Sequence, residues 1–90
     1  MNIVASSLAG QLRRLKPVHL RLLAELDHTG ALGLAAIRIG IAQPAASRLL
    51  AEMEELLGLS LHERQGRGLR LTHVGQALAR RAARIEIELT

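Results

Sequence analysis

Ninety residues, 49% of them apolar, make one small domain, and at this size folding can bury roughly 60–70% of the unfolded chain's surface. Cysteine is absent, which excludes a disulfide framework and a thiolate metal site; Phe, Tyr and Trp are absent too, so the core must be built from Leu, Ile, Val, Ala and Met. The net charge is +4 and unevenly spread: residues 1–16 carry Arg13, Arg14 and Lys16 with no acid, residues 62–84 carry six Arg against Glu63, and residues 17–61 are net negative. All the cations but Lys16 are Arg, whose planar fork suits bidentate contact with phosphate and guanine, although an Arg-rich face can equally be a solvated surface and nothing more. No apolar run is long enough to span a bilayer, and Met1–Gly10 lacks the basic start of a signal peptide, so a cytoplasmic chain is expected.

Val4, Leu8, Leu12 and Leu15 recur at helical spacing, with Ser6 or Ser7 as a cap, so a short N-terminal helix is expected that packs on the domain or on a partner chain, the alternative being a disordered arm that reaches DNA through Arg13 and Arg14. Residues 1–16 are set apart as an extension because Pro17 suits the first turn of a new helix. That helix carries Leu20, Leu22, Leu23 and Leu26 and should stop at Thr29-Gly30. A second helix runs to Ile39, starting near Leu32 or Gly33, with Leu34, Ala35, Ala36 and Ile39 as its contacts, and Gly40 ends it. After the two-residue turn Ile41-Ala42, a third helix opens at Gln43-Pro44 and runs to Leu57, with Ala46, Leu50, Met53 and Leu57 on one face. Gln43, Ala45, Ser47 and Arg48 occupy its early outward turns, a small and polar surface able to approach a DNA groove, while Glu52, Glu54 and Glu55 follow as a solvated acidic face that phosphates would repel. A short helix, a glycine turn and a longer helix form a helix-turn-helix arrangement.

Leu59 to Leu71 changes period. Leu69, Arg70 and Leu71 alternate, and Gln65-Gly66-Arg67-Gly68 forms a glycine-rich turn, which predicts a β-hairpin carrying Arg64, Arg67 and Arg70. Thr72 caps a last helix from His73 onward. Its Val74, Leu78, Ala82, Ile85 and Leu89 form a stripe that is exposed unless something covers it, which suggests a coiled-coil-like dimer partner. The pattern runs to Thr90 without a stop signal, as expected of a helix leading into a further part of a longer chain. His19, His28, His62 and His73 lie on separate elements without metal-ligand spacing, and no catalytic grouping appears, so neither a metal, another cofactor nor an enzyme is expected.

These segments together resemble the N-terminal domain of LysR-type transcriptional regulators: TGALGLAA at Thr29–Ala36, QPAAS at Gln43–Ser47, MEELLG at Met53–Gly58, LHER at Leu61–Arg64 and LTHVG at Leu71–Gly75. The resemblance covers about residues 15–83. It implies a mainly α fold, with a winged helix-turn-helix over 17–72, a two-stranded β wing, and a long linker and dimerisation helix over 73–90. It also implies double-stranded DNA as partner, through an interrupted inverted repeat read by a homodimer, and a small-molecule effector bound by a domain outside this chain. The Gln43 helix would enter the major groove, with Ser47 and Arg48 reading base edges, although Arg48 could contact phosphate only. Gln43 would reach adenine or a phosphate, and Pro44 and Ala45 a thymine methyl. Arg64, Arg67 and Arg70 would contact backbone, Arg67 reaching a minor groove, although Arg64 could instead pair with an acid. Thr72 would add a phosphate contact to its cap. Three positions depart from the family pattern: Ala31 and Ala42 replace hydroxyl residues, and His62 replaces a Phe, leaving a smaller, more polar corner that needs a partner if buried. The alternative is a helical dimerisation or adaptor module whose Arg residues only solubilise it.

Overall fold

The computed structural model describes residues 10–66 and 68–89, with side chains as far as Ile85. The helix expected to start at Ser6 or Ser7, Arg67 at the hairpin tip and the side chain of Leu89 lie outside these described residues. A helical turn at residues 10–12 leads into α1 (Pro17–Thr29), α2 (Leu32–Ile39), α3 (Gln43–Leu57), the strands β1 (His62–Gln65) and β2 (Gly68–Leu71), and α4 (His73–Leu89). The mainly α fold with a two-stranded hairpin is the expected winged helix-turn-helix.

Local chemistry explains the boundaries. Pro17 opens α1, and His19, three residues past Lys16, turns its Nδ1 back to accept the Lys16 N–H at 3.1 Å. Gly30 ends α1 in the left-handed region (φ 70°), donating its N–H to Leu26 O at 2.9 Å. Gly40 (φ 76°) ends α2 in the same way, and the Ile41 N–H reaches back to Ala36 O at 3.0 Å, so the turn before α3 is tied to the helix it leaves.

The core is Leu and Ala rather than aromatic. Leu22, Leu23 and Leu26 of α1, Ala35 and Ala36 of α2, and Ala46, Leu50, Met53 and Leu57 of α3 meet Leu61 and the Leu78, Ala79, Ala82 and Ala83 face of α4. Each fully buried Leu or Met stabilises the fold by about 2 kcal/mol relative to exposure. Small residues along α4 let it lie closely along α1. Leu12 and Leu15 are buried in this same core, so the segment before Pro17 packs on the domain. On α2, Ala35 and Ala36 are buried and Ile39 packs against the core as expected, whereas Leu34, expected as a contact, faces outward with Ile37, which is 73% exposed. They lie three residues apart on the side of α2 away from the core.

The hairpin is antiparallel, with His62 opposite Leu71, Glu63 opposite Arg70, Arg64 opposite Leu69 and Gln65 opposite Gly68. His62, Arg64, Leu69 and Leu71 therefore share one face, and Glu63 and Arg70 the other. The base of the hairpin is anchored on α4: Leu61 O accepts the Thr72 N–H at 2.9 Å and passes directly over Gly75.

Candidate nucleic-acid interface

α3 presents its surface by helical geometry. Ala46, Leu50, Met53 and Leu57 face inward, which puts Arg48 about half a turn away, at the outermost line of the helix, with Gln43 and Ser47 on the flank nearer the hairpin. Gln43, Pro44, Ser47 and Arg48 are exposed and Ala45 is half-buried. The N-cap, Ala42, is extended (φ −73°, ψ 150°) and has no side chain to accept an N–H of the first turn. Ala42→Ser should therefore stabilise the domain by about 1 kcal/mol, seen as a thermal midpoint raised by about 4–8 °C in a circular-dichroism melt.

A groove runs between α3 and the hairpin. Its walls are Gln43 and Ser47 of α3, His62, Arg64, Gly68 and Leu69 of the hairpin, and residues 30–33 at the start of α2. Three of the expected contact residues, Gln43, Ser47 and Arg64, thus come together, although they are up to 21 positions apart in sequence. Arg64 makes no ion pair among the described residues. The first turn of α2 faces this groove, and its N-cap Ala31 makes no side-chain cap hydrogen bond. Gly33 was not among the expected site residues; a Cβ there would stand 3.2 Å from Gln43 Oε1, so the glycine leaves room for the Gln43 amide to lie across the start of α2.

Other expected site residues are placed elsewhere. Arg70 is on the opposite face of the hairpin, 3.2 Å from Glu63 Oε1 across the strands, so it is Arg70, and not Arg64, that pairs with an acid. Thr72 serves as a cap and its hydroxyl is committed: it donates to Ser60 O at 2.8 Å and accepts the Gly75 N–H at 3.1 Å. A hydroxyl has one proton, and in this structure Ser60 O takes it, so the Thr72 side chain is accounted for by its cap. The expected dimer stripe also changes. Leu78 and Ala82 are fully buried against the chain's own core, and Val74 and Ile85 are half-buried beside it. α1 covers what periodicity alone left uncovered.

The acidic run on α3 is not simply solvated. Glu52 Oε1 lies 3.1 Å from Nε2 of the fully buried His19, whose Nδ1 already accepts a backbone N–H, so Nε2 carries the proton and donates. Glu54 Oε2 accepts the Leu61 N–H at 2.8 Å and His62 Nδ1–H at 2.9 Å. Two carboxylates on α3 thus tie it to α1 and to the root of the hairpin. Glu55 is exposed as expected. The His62 corner has found its partner in Glu54, a pairing that helical periodicity alone could not reveal because the two residues belong to different elements.

The helix-turn-helix, the hairpin wing beside it and the basic, polar groove between them define a winged-helix nucleic-acid-binding domain. The sequence profile of the bacterial regulatory helix-turn-helix proteins of the lysR family matches residues 17–76. The chain belongs to the LysR family of transcriptional regulators and corresponds to their DNA-binding domain. It is 45% identical over 73 residues to the HTH-type transcriptional regulator GbpR of Rhizobium radiobacter, covering 79% of this chain and 24% of that protein. GbpR of Azospirillum brasilense is 44% identical over 72 residues, covering 80% of this chain and 21% of its own length. The chain therefore spans about a quarter of the length of these regulators. Among solved structures, the BenM DNA-binding domain in complex with benA site 1 DNA superposes with a TM-score of 0.73 at 29% identity, covering 83% of this chain and 84% of that one. The CbnR DNA-binding domain in its DNA complex gives 0.72 at 33% identity, covering 83% and 85%. Among the described residues no helix is long and apolar enough to cross a membrane.

Proposed function

We propose that this domain binds a specific double-stranded promoter site, as one half of a homodimer that reads an interrupted inverted repeat. The observation that carries the reading is the groove that gathers Gln43, Ser47, Arg64 and the start of α2 beside the exposed Arg48. α3 enters the major groove, Ser47 and Arg48 reach base edges, and Pro44 and Ala45 pack against a thymine methyl. Gln43 and Arg64 hold phosphates at the groove wall, with Arg67 reaching on from the wing tip. Arg70 joins them only by releasing Glu63. The dimer pairs through α4, where Val74 and Ile85, half-buried beside the core, keep part of their surface for a partner. Activation or repression, and response to a small-molecule effector, belong to a domain beyond this chain. The setting is cytoplasmic, and neither a catalytic role nor a cofactor is assigned.

The test is fluorescence anisotropy with labelled duplex DNA, since the protein has no Trp or Tyr to report binding. Neutralised phosphates release counterions, so a dimer making several backbone contacts should lose about 10³-fold or more in affinity between about 50 and 200 mM salt. A folded, dimeric domain that binds no duplex at low salt would instead support an adaptor.

A further inference from the structure

We propose that His62 is a DNA-backbone contact that works only when protonated, so that this domain takes up a proton as it binds DNA. The inference rests on the DNA-binding reading above and adds to it a residue and a pH dependence.

The argument starts from the hydrogen bonds. Glu54 Oε2 already accepts the Leu61 N–H, and a carboxylate is an acceptor, so His62 must present Nδ1–H to it. That fixes the tautomer: in neutral His62 the proton is on Nδ1, and Nε2 carries a lone pair. Nε2 has no hydrogen-bond partner among the described residues, yet no polar side-chain atom is both buried and unpartnered. The ring is one third exposed and lines the groove with Gln43, Ser47 and Arg64. A phosphate oxygen entering this groove meets a lone pair if His62 is neutral and a charged N–H donor if it is protonated. Only the second state can bond it directly, and such charge-assisted bonds are about twice as strong as neutral ones.

The surrounding charges divide by element. From α3, Glu54 faces the ring and accepts its Nδ1–H. From β1, Arg64 stands two residues along the same face of the hairpin. β2 places uncharged Leu71 opposite and Leu69 diagonally, and the start of α2 adds no charged side chain. The Glu63–Arg70 pair is on the other face of the hairpin. An arriving phosphate therefore adds a second negative group on the side where, among the described residues, the charged neighbour is Arg64. Its arrival favours the imidazolium, and by reciprocity the imidazolium favours its arrival.

Anisotropy titrations of wild type and His62→Phe at two pH values test this. Protonated His62 binds tighter, so the gain is present at low pH and is lost as pH rises. Wild-type affinity should increase by roughly 10-fold from about pH 8 to about pH 6, where histidine changes charge. Its salt slope should steepen by about two over the same interval, reflecting one further phosphate contact in each half of the dimer. His62→Phe, which fills the same corner with an apolar ring, should lose both changes. If the Phe variant fails to fold, His62→Gln replaces it, since its amide can donate to Glu54 but cannot take up a proton. The exposed His28 and His73 are present in every variant, so any contribution from them persists and subtracts out. A variant that keeps the wild-type pH dependence would overturn the role of His62. No binding by folded wild type at any pH would overturn the DNA-binding reading itself.

Discussion

Replacing Gly75 with alanine should lower the stability of this domain by about 3 kcal/mol, at the upper end of the usual cost of overpacking, and its thermal midpoint by about 12–24 °C. A Cβ at this position would stand 2.1 Å from Leu61 O and 3.0 Å from Leu61 C, with Thr72 Oγ1 at 3.2 Å on the other side. The first two are backbone atoms at the root of the wing, and no rotamer change can move them. Either α4 slides away from α1, which opens the Leu78 and Ala82 contact, or the Leu61 carbonyl swings out and loses the Thr72 N–H. Both routes loosen the wing from α4, so residual DNA binding by the variant should fall as well. Gly10→Ala is the control, since a Cβ there meets nothing within 4 Å. Its midpoint should move little, with equilibrium melts by circular dichroism as the readout. A drop of less than about 1 kcal/mol for Gly75→Ala would show that the close passage of Leu61 over α4 is not rigid.

Arg48→Ala should leave the fold intact and blunt sequence preference. The side chain stands on the outermost line of α3 and makes no ion pair among the described residues, so its loss should change stability by no more than about 0.5 kcal/mol. If the guanidinium reads guanine bidentately, discrimination between the operator and a single-base variant should fall by about 1–3 kcal/mol. Arg64→Ala should behave differently. It should weaken binding evenly on all sequences and reduce the salt slope of the dimer by about two, as expected for one phosphate contact in each half. If Arg48→Ala also weakens every sequence evenly, Arg48 is a backbone residue and the base readout lies with Ser47 and Gln43.

How much of this was legible beforehand depended on the range of the signal. Helix ends are local: Pro17, Gly30, Gly40, Pro44 and Gly58 mark boundaries through their own φ preferences, and α1, α2 and α3 fell where those residues placed them. The inward face of α3 is also local, because a period of 3.6 lets one helix declare its own stripe. The candidate site was partly legible for the same reason. Gln43, Ser47 and Arg48 all lie off the inward stripe of one helix, Arg48 outermost and the other two on its flank, whatever packs behind it.

Determined by sequence alone, then, were the helix-turn-helix, the wing, the concentration of Arg near it, and the family the chain belongs to. The tertiary structure decided what each long-range neighbour is. It placed Leu78 and Ala82 inside the core, because α1 supplies the apolar surface that the α4 stripe needs. It set Arg70 against Glu63 through strand register, while Arg64 was turned into the groove. It converted two residues of an apparently solvated acidic run into anchors for His19 and His62. Periodicity says which way a side chain points along its own element; whether it meets solvent, an apolar face or an opposite charge is settled only when the elements pack.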